Sequence, residues 1–546
     1  VGLRHGRVCF LAQVSQEPEL LETAVPKASA VSATSAAADP PRFWQLAIFA
    51  AIVVFSLAHL PLAIWNTYGS DDAAWDGIAI MLWAQHDRLP TETGVFVEER
   101  FRSSPLPAYV IKRLLTARIV PYAGVPLVMN VATLVAGIVV PGLLFLLWRP
   151  LTSTAQAAIG VVLLLFSPEF FSLKFDGLPT LPSLALLLLS LLAFASAMRQ
   201  PRWRVAKLLL AAGLFTVAVL TKVDVVLLSP ALVVVTYLVP VERARWRYVL
   251  LAVALPIAAL VAWHLFCRLV ASEAPGTGET FQRWSHRWTL APKGLWDRDN
   301  LRAMLMAPGV GTALALIPAA VLSLASARGR WSAAAALACV LPTVFFWGMR
   351  ELNSSRHNFW IVVPLALFIA AAIECSLQKW GWQVLIVAAI CVGNYFLGPG
   401  PQQETYRQAT CKFLAAAAAR KARVSQEHAD YELLVERREA MRRICILQVG
   451  AARARAIATL VARSDRCDVR VLGTSHNDWR LAARFGDETL DVWIPDAEGL
   501  QAVWDEVCKG EYDLFLPAHG EHPFYHLRGQ PDWADSVEGS LLKPWP

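Results

Sequence analysis

Two adjacent carboxylates, Asp71 and Asp72, stand in the stretch Tyr68-Gly-Ser70-Asp71-Asp72-Ala-Ala-Trp75-Asp76, directly after an apolar segment that runs from about Phe43 to Trp65. Ser70 is a helix-capping residue type. The spacing places both aspartates in the first turn of a short helix, with Trp75, Ile78, Ala79 and Leu82 on its apolar stripe. The amide end of a helix favours ionised carboxylates. A charged pair just outside hydrocarbon has two chemistries open to it. One carboxylate can take a proton from a hydroxyl, or both can hold a divalent cation such as Mg²⁺ or Mn²⁺. Acids in a first helical turn also serve simply to stabilise the helix, and the local pattern alone leaves these uses open.

The elements that position this pair are membrane spans. Of 546 residues, 56% are hydrophobic and only 17% charged, which excludes an ordinary soluble domain and indicates an α-helical polytopic membrane protein. The formal net charge of +7 invites a nucleic-acid reading. Many of the Lys and Arg residues, however, fall in short loops between apolar segments, where they set orientation, so no nucleic-acid partner is expected. The 21 tryptophans suit belts at the two membrane interfaces.

Apolar segments fall at 43–65, 121–148, 155–172, 180–198, 206–221, 224–240, 248–271, 307–326, 331–349, 358–377 and 382–398, giving about eleven transmembrane helices, with the pair 206–240 short and closely joined. Arg149, Arg199/Arg202/Arg204, Arg243/Arg245/Arg247, Arg328/Arg330 and Lys379 all fall on one side, which marks it as cytoplasmic. The long loops 66–120 and 272–306 and the turn Arg350–His357 then lie on the periplasmic or extracellular face of a plasma (inner) membrane, and Asp71 and Asp72 lie with them. Loop 66–120 carries Trp83, Phe96, Phe101 and Tyr109 among its charges, a pattern for short interfacial helices. Loop 272–306 interleaves Arg283, His286 and Arg287 with Trp284 and Trp288, which suits lipid headgroups or phosphate and a lid over a site.

Residues 1–42 read as a flexible cytoplasmic tail without a cleavable signal peptide, and 399–442 as a helical linker. From Arg443 a strand, a Gly turn and a helix begin an alternation (strands near 443–450, 468–472, 491–494 and 512–517) that predicts a small α/β, Rossmann-like domain over 443–546. An odd number of spans places it outside. Of the nine cysteines, Cys267, Cys339, Cys375 and Cys391 lie in apolar segments as small core residues. None has metal-ligand spacing.

Four short motifs in order resemble the GT-C superfamily of glycosyltransferases, in particular its protein O-mannosyltransferase and aminoarabinose-transferase branch. They are Tyr68-Gly-Ser-Asp71-Asp72-Ala-Ala-Trp75, Ser104-Pro-Leu-Pro107-Ala-Tyr109, Leu220-Thr-Lys222-Val223, and Arg356-His357-Asn-Phe359 with Pro364. The sequence departs from the pattern at Arg102-Ser103, where aminoarabinose transferases carry Glu-Lys, at Val223-Asp224 after the lysine, and at His357, where a tyrosine is usual. The resemblance implies a sugar donor on a polyprenyl phosphate, an acceptor hydroxyl on a glycan, lipid or protein, and in-line attack with inversion. It gives Asp71 the role of base or metal ligand, with Asp72 supporting it and Trp75 beside them. Lys222, Arg350 and Arg356 become candidates for the donor phosphate, since such a leaving group needs cations more than a proton. Asp176 and His357 are supporting candidates. Each also has a plain structural use: Lys222 snorkelling from a helix end beside Asp224, Arg350 pairing Glu351, Asp176 capping a turn at Gly177, His357 as an interfacial aromatic. The C-terminal unit weakly resembles the lobe that precedes an ATP-grasp fold. Without the full Gly-rich motif or an ATP-grasp body, it implies no ATP chemistry. The rival class is a transporter or flippase of lipid-linked sugar, which would place charge near the midplane and show repeated halves.

Overall fold

The computed structural model describes residues 76–77, 80, 83–84, 103–121, 124–173, 177–200, 202–239, 245–272, 297–349, 355–377, 379–397, 443–447, 468–472 and 514–516. The expected tail 1–42, span 43–65 and linker to 442 lie outside them.

Every expected span within the described residues is helical. The helices are α1 (Pro105–Thr116), α2 (Val125–Trp148), α3 (Thr154–Leu165), α4 (Pro168–Leu173), α5 (Thr180–Arg199), α6 (Arg204–Thr221), α7 (Pro230–Leu238), α8 (Arg245–Ser272), α9 (Arg298–Met306), α10 (Val310–Leu324), α11 (Ala327–Gly348), α12 (Val362–Ser376) and α13 (Trp380–Phe396), with 3-10 helices at Val223–Leu228 and Ser355–Ile361. Among the described residues, six spans are long and apolar enough to cross a membrane unaided: within α2, α5, α6, α8 and α11, and His357–Ser376. α9 and α10 pass together but meet at 87°; α3, Val223–Leu238 and α13 are shorter. The chain is thus a multi-pass membrane protein.

Several boundaries differ from the sequence reading. The segment 155–172 breaks at Phe166-Ser167, where the Ser167 hydroxyl donates to the Leu164 carbonyl and the next helix starts on Pro168. The segment 224–240 begins as a 3-10 turn. The end of loop 272–306 is itself helical, capped by Asp297, which accepts from the Asn300 amide at 3.3 Å. Cys267, Cys339 and Cys391 are buried as expected, but Cys375 is exposed, because it lies near the end of α12 beyond the packed part of the helix.

α3, α10 and α11 pack against α12, whose residues from Val362 to Ile373 are almost all buried, whereas α8 is largely peripheral, with Leu250, Val253, Ile257, Val261 and Leu265 exposed. Exposed leucine and valine along a long helix suit lipid, not water. At the arginine end, Arg199 donates to the Pro150 carbonyl at 3.2 Å, which places two of the basic loops side by side. Arg328 donates to Gln156 at 3.1 Å and to Glu374 at 2.9 Å, and Ser153, the cap of α3, also donates to Glu374. This network ties α3, α11 and α12 where water is near enough to solvate the charges.

In the C-terminal region, β1 (Arg443–Leu447), β2 (Asp468–Leu472) and β3 (Leu514–Leu516) form a parallel sheet in the order β2-β1-β3. Three of the four expected strands are therefore paired. The fourth, 491–494, and the helix expected after the Gly turn lie outside the described residues.

Candidate active site

The end of the bundle opposite the arginine network carries the residues of interest. α6 ends at Thr221. Lys222 caps it in extended conformation, with φ −155° and ψ 116°, and the chain turns into the 3-10 helix. That turn brings Asp224 back under the lysine: Lys222 Nζ lies 3.9 Å from Asp224 Oδ2, with both side chains mostly covered. The expected Lys222–Asp224 pairing is present.

Beside it lies a cavity of about 200 Å³. Its wall is formed by Asp76, Ile80 and Trp83 of the first loop, by Ser104, Pro107, Ala108, Val110 and Ile111 at the start of α1, by Val128, Met129, Ala132 and Thr133 of α2, by Gly177, Leu178, Pro179 and Pro182 leading into α5, and by Thr221. Residues of two motifs, the Ser104–Tyr109 segment and the Leu220–Val223 turn, meet here, together with the helix that follows the Asp71-Asp72 pair. The fourth motif lies nearby, since its 3-10 helix packs against that of Val223–Leu228. Gly177 has φ +64°, a left-handed conformation that favours glycine, and so turns the chain from α4 into α5. The Thr133 hydroxyl bonds the Leu178 carbonyl at 3.2 Å and fixes that turn against α2.

Asp71, Asp72, Trp75, Asp176 and Arg350 lie outside the described residues, and of Arg356 only the backbone, within Ser355–Ile361, is described. The expected apolar stripe Trp75/Ile78/Ala79/Leu82 also falls outside; the buried positions seen in that helix are Gly77, Ile80 and Trp83. His357 stacks on Trp347, with ring centroids 4.1 Å apart and planes 12° from parallel, which is the geometry of a packing aromatic. No group of three His, Cys, Asp or Glu suited to a metal exists among the described residues. They therefore offer no metal site, and the Asp71-Asp72 pair keeps that role as an expectation only.

Three charged groups here were not singled out from sequence. Asp76, half-buried on the cavity wall, has its carboxyl pushed up from an ordinary 3.8 to about 7, chiefly by burial, with Lys222 pulling the other way. Lys112 is buried on α1, its ammonium 4.8 Å from the Trp83 ring centroid. Glu169 is buried on α4. A signal for Lys112 existed: Pro105, Ala108, Ile111, Lys112 and Leu115 share one helical face, and all five are buried.

No curated protein matches the chain. Among solved structures, ArnT from Cupriavidus metallidurans bound to undecaprenyl phosphate is 17% identical with a TM-score of 0.45, over 78% of this chain and 76% of that one. The archaeal oligosaccharyltransferase AglB from Archaeoglobus fulgidus, in complex with an inhibitory peptide and a dolichol-phosphate, is 12% identical with a TM-score of 0.44, over 76% of this chain and 64% of that one. Residues 103–264 match the family described as dolichyl-phosphate-mannose-protein mannosyltransferase. That stretch holds the second and third motifs and all of the cavity wall except its Asp76, Ile80 and Trp83 face, and over it the GT-C superfamily resemblance carried by the motifs is borne out.

Proposed function

We propose that this protein is a membrane glycosyltransferase that moves a hexosyl or pentosyl group from a polyprenyl-phosphate donor to an acceptor hydroxyl, with inversion, at the Lys222 end of the helix bundle. The observation that carries the reading is the meeting of the Ser104–Tyr109 segment and the Leu220–Val223 turn on one apolar-walled cavity, within the stretch that matches the mannosyltransferase family. Asp71 orients and deprotonates the acceptor hydroxyl and Asp72 supports it. Lys222 meets the phosphate of the leaving group, with Arg350 and Arg356 as further cations from the neighbouring turn, and Asp176 and Trp75 complete the surroundings. The Lys222 end faces the periplasm or the outside of a plasma membrane, and the sheet at 443–516 belongs to an accessory domain on that side.

The test uses purified full-length protein with radiolabelled dolichyl- and undecaprenyl-phosphate sugars and mixed glycan, lipid and peptide acceptors. Wild type releases labelled product. Asp71→Asn, with unchanged elution and melting, loses at least about 100-fold of that rate, the usual worth of a positioned base. Lipid translocation into vesicles with no sugar transfer by wild type would sink the assignment in favour of a flippase.

A further inference from the structure

Asp76 lies on the cavity wall and takes no part in the chemistry given to Asp71 and Asp72. Its strongest charged neighbour is Lys222. The same ammonium meets Asp224 at 3.9 Å. One cation is thus shared between two carboxylates, one from the first loop and one from the turn after α6. Two further cations stand on α1. α1 brings Lys112, directed at Trp83, and Arg113, whose guanidinium lies over the Tyr109 ring at 4.8 Å. α2 and the start of α5 bring only apolar, glycine, proline and hydroxyl residues to the wall. Asp71, Asp72 and Asp176 are near in sequence and lie outside the described residues. With so apolar a wall, a phosphate that takes the Lys222 ammonium sets a second negative charge against the Asp76 carboxylate with little water to screen it.

We propose that Asp76 is a positioning residue that holds the Lys222 ammonium beside the cavity until the donor phosphate displaces it, so that donor binding takes up one proton at Asp76. The proton comes from solvent and the only bond formed is the O–H of the carboxyl. The proposal rests on the reading of Lys222 as the donor-phosphate cation. The elevated carboxyl, near 7, puts the exchange in the physiological range. If the ionised carboxylate excludes the phosphate, apparent affinity follows the protonated fraction and falls about tenfold between pH 6 and pH 8.

The experiment measures binding of the methyl diester of undecaprenyl phosphate, whose single charge does not change over that range, to full-length protein in detergent. Wild type is expected to bind about tenfold more weakly at pH 8 than at pH 6, and Asp76→Asn to bind equally at both. Calorimetry of wild type at pH 7.5 in two buffers of different ionisation enthalpy reads net proton uptake directly and needs no variant. Uptake approaching one proton supports the proposal; no uptake, or the same pH dependence in Asp76→Asn, overturns it. Failure of the diester to bind at any pH overturns the donor-site reading of Lys222 and this proposal with it.

Discussion

Gly311, in the first turn of α10, has no room for a side chain. A Cβ there would stand 2.2 Å from the Ile390 carbonyl oxygen and 2.7 Å from the Asn394 amide nitrogen, both backbone atoms of α13, and real Cβ contacts essentially never fall below 3.0 Å. Gly311→Ala therefore drives α10 and α13 apart by about 0.8 Å. The movement is felt at once by Asn394, which is fully buried: its Oδ1 accepts from the Thr312 amide at 2.9 Å, and its Nδ2 donates to the Thr312 hydroxyl at 2.9 Å and to the Phe166 carbonyl at 3.3 Å. Overpacking a tight interface costs about 1–3 kcal/mol and each lost buried hydrogen bond about 0.5–1.5 kcal/mol, so the expected destabilisation is roughly 3–6 kcal/mol. Gly213 supplies the contrast. It lies inside α6 with nothing within 4 Å of its would-be Cβ, so Gly213→Ala should stabilise by up to about 1 kcal/mol through helix propensity alone. Both variants are heated in detergent and the fraction that remains monodisperse is read by size exclusion. Gly311→Ala melting together with wild type would refute the close-contact reasoning, whatever Gly213→Ala does.

Three further outcomes are expected. The folded protein keeps a proton on Asp76 that the unfolded chain releases above about pH 4, so this carboxyl progressively opposes folding between 3.8 and about 7. Asp76→Asn should gain stability over wild type across that window, by up to roughly 4 kcal/mol, measured as the melting difference at pH 4 and pH 8. His357→Phe should retain stability and transfer, whereas His357→Ala loses about 1 kcal/mol of stacking; a metal-ligand role would show instead as an equal loss in both variants. A protease site inserted at residue 520 should be cut from the outer side in sealed vesicles; cutting from the inner side alone would refute the expected odd number of crossings.

The helical bundle was legible because long runs of Leu, Val and Ala admit few other structures when the solvent is lipid. The breaks were not. Window-averaged apolarity across Val223–Leu228 is the same whether its carbonyls bond three residues on or four, and the 3-10 choice appears once Asp224 folds back to Lys222. The break at Phe166-Ser167 has similar origins in local hydrogen bonding. At the site, the Ser104–Tyr109 segment and Lys222 could be read from motifs, but Asp76 and Lys112 could not. For Lys112 the helical face it shares with Ala108, Ile111 and Leu115 signals burial, but its partner Trp83 stands 29 residues away in a different helix, and pairing at that range is set by tertiary packing. The expectation for Cys375 failed for a simple reason: position within an apolar run does not say where packing ends.

The distribution of charge through the bundle bears on the choice between chemistry and transport. Among the described residues of the span helices, the Asp, Glu, Lys and Arg side chains lie within about two turns of a helix end. One set, around Arg328 and Glu374, closes the arginine end; the other, around Lys222 and Asp224, sits by the cavity at the opposite end. Between them, several buried hydroxyls bond helix carbonyls. Ser190 donates to the Ala211 carbonyl at 2.7 Å, bridging α5 and α6, and Thr236 bonds the Leu232 carbonyl of its own helix at 2.8 Å. A carrier that moves a phosphate headgroup across the bilayer requires polar groups near the midplane to replace its hydration. The observed arrangement keeps the charges at the two ends instead, one set beside an apolar-walled cavity, which is what a lipid-borne donor needs if its head reacts where its tail stays in the membrane.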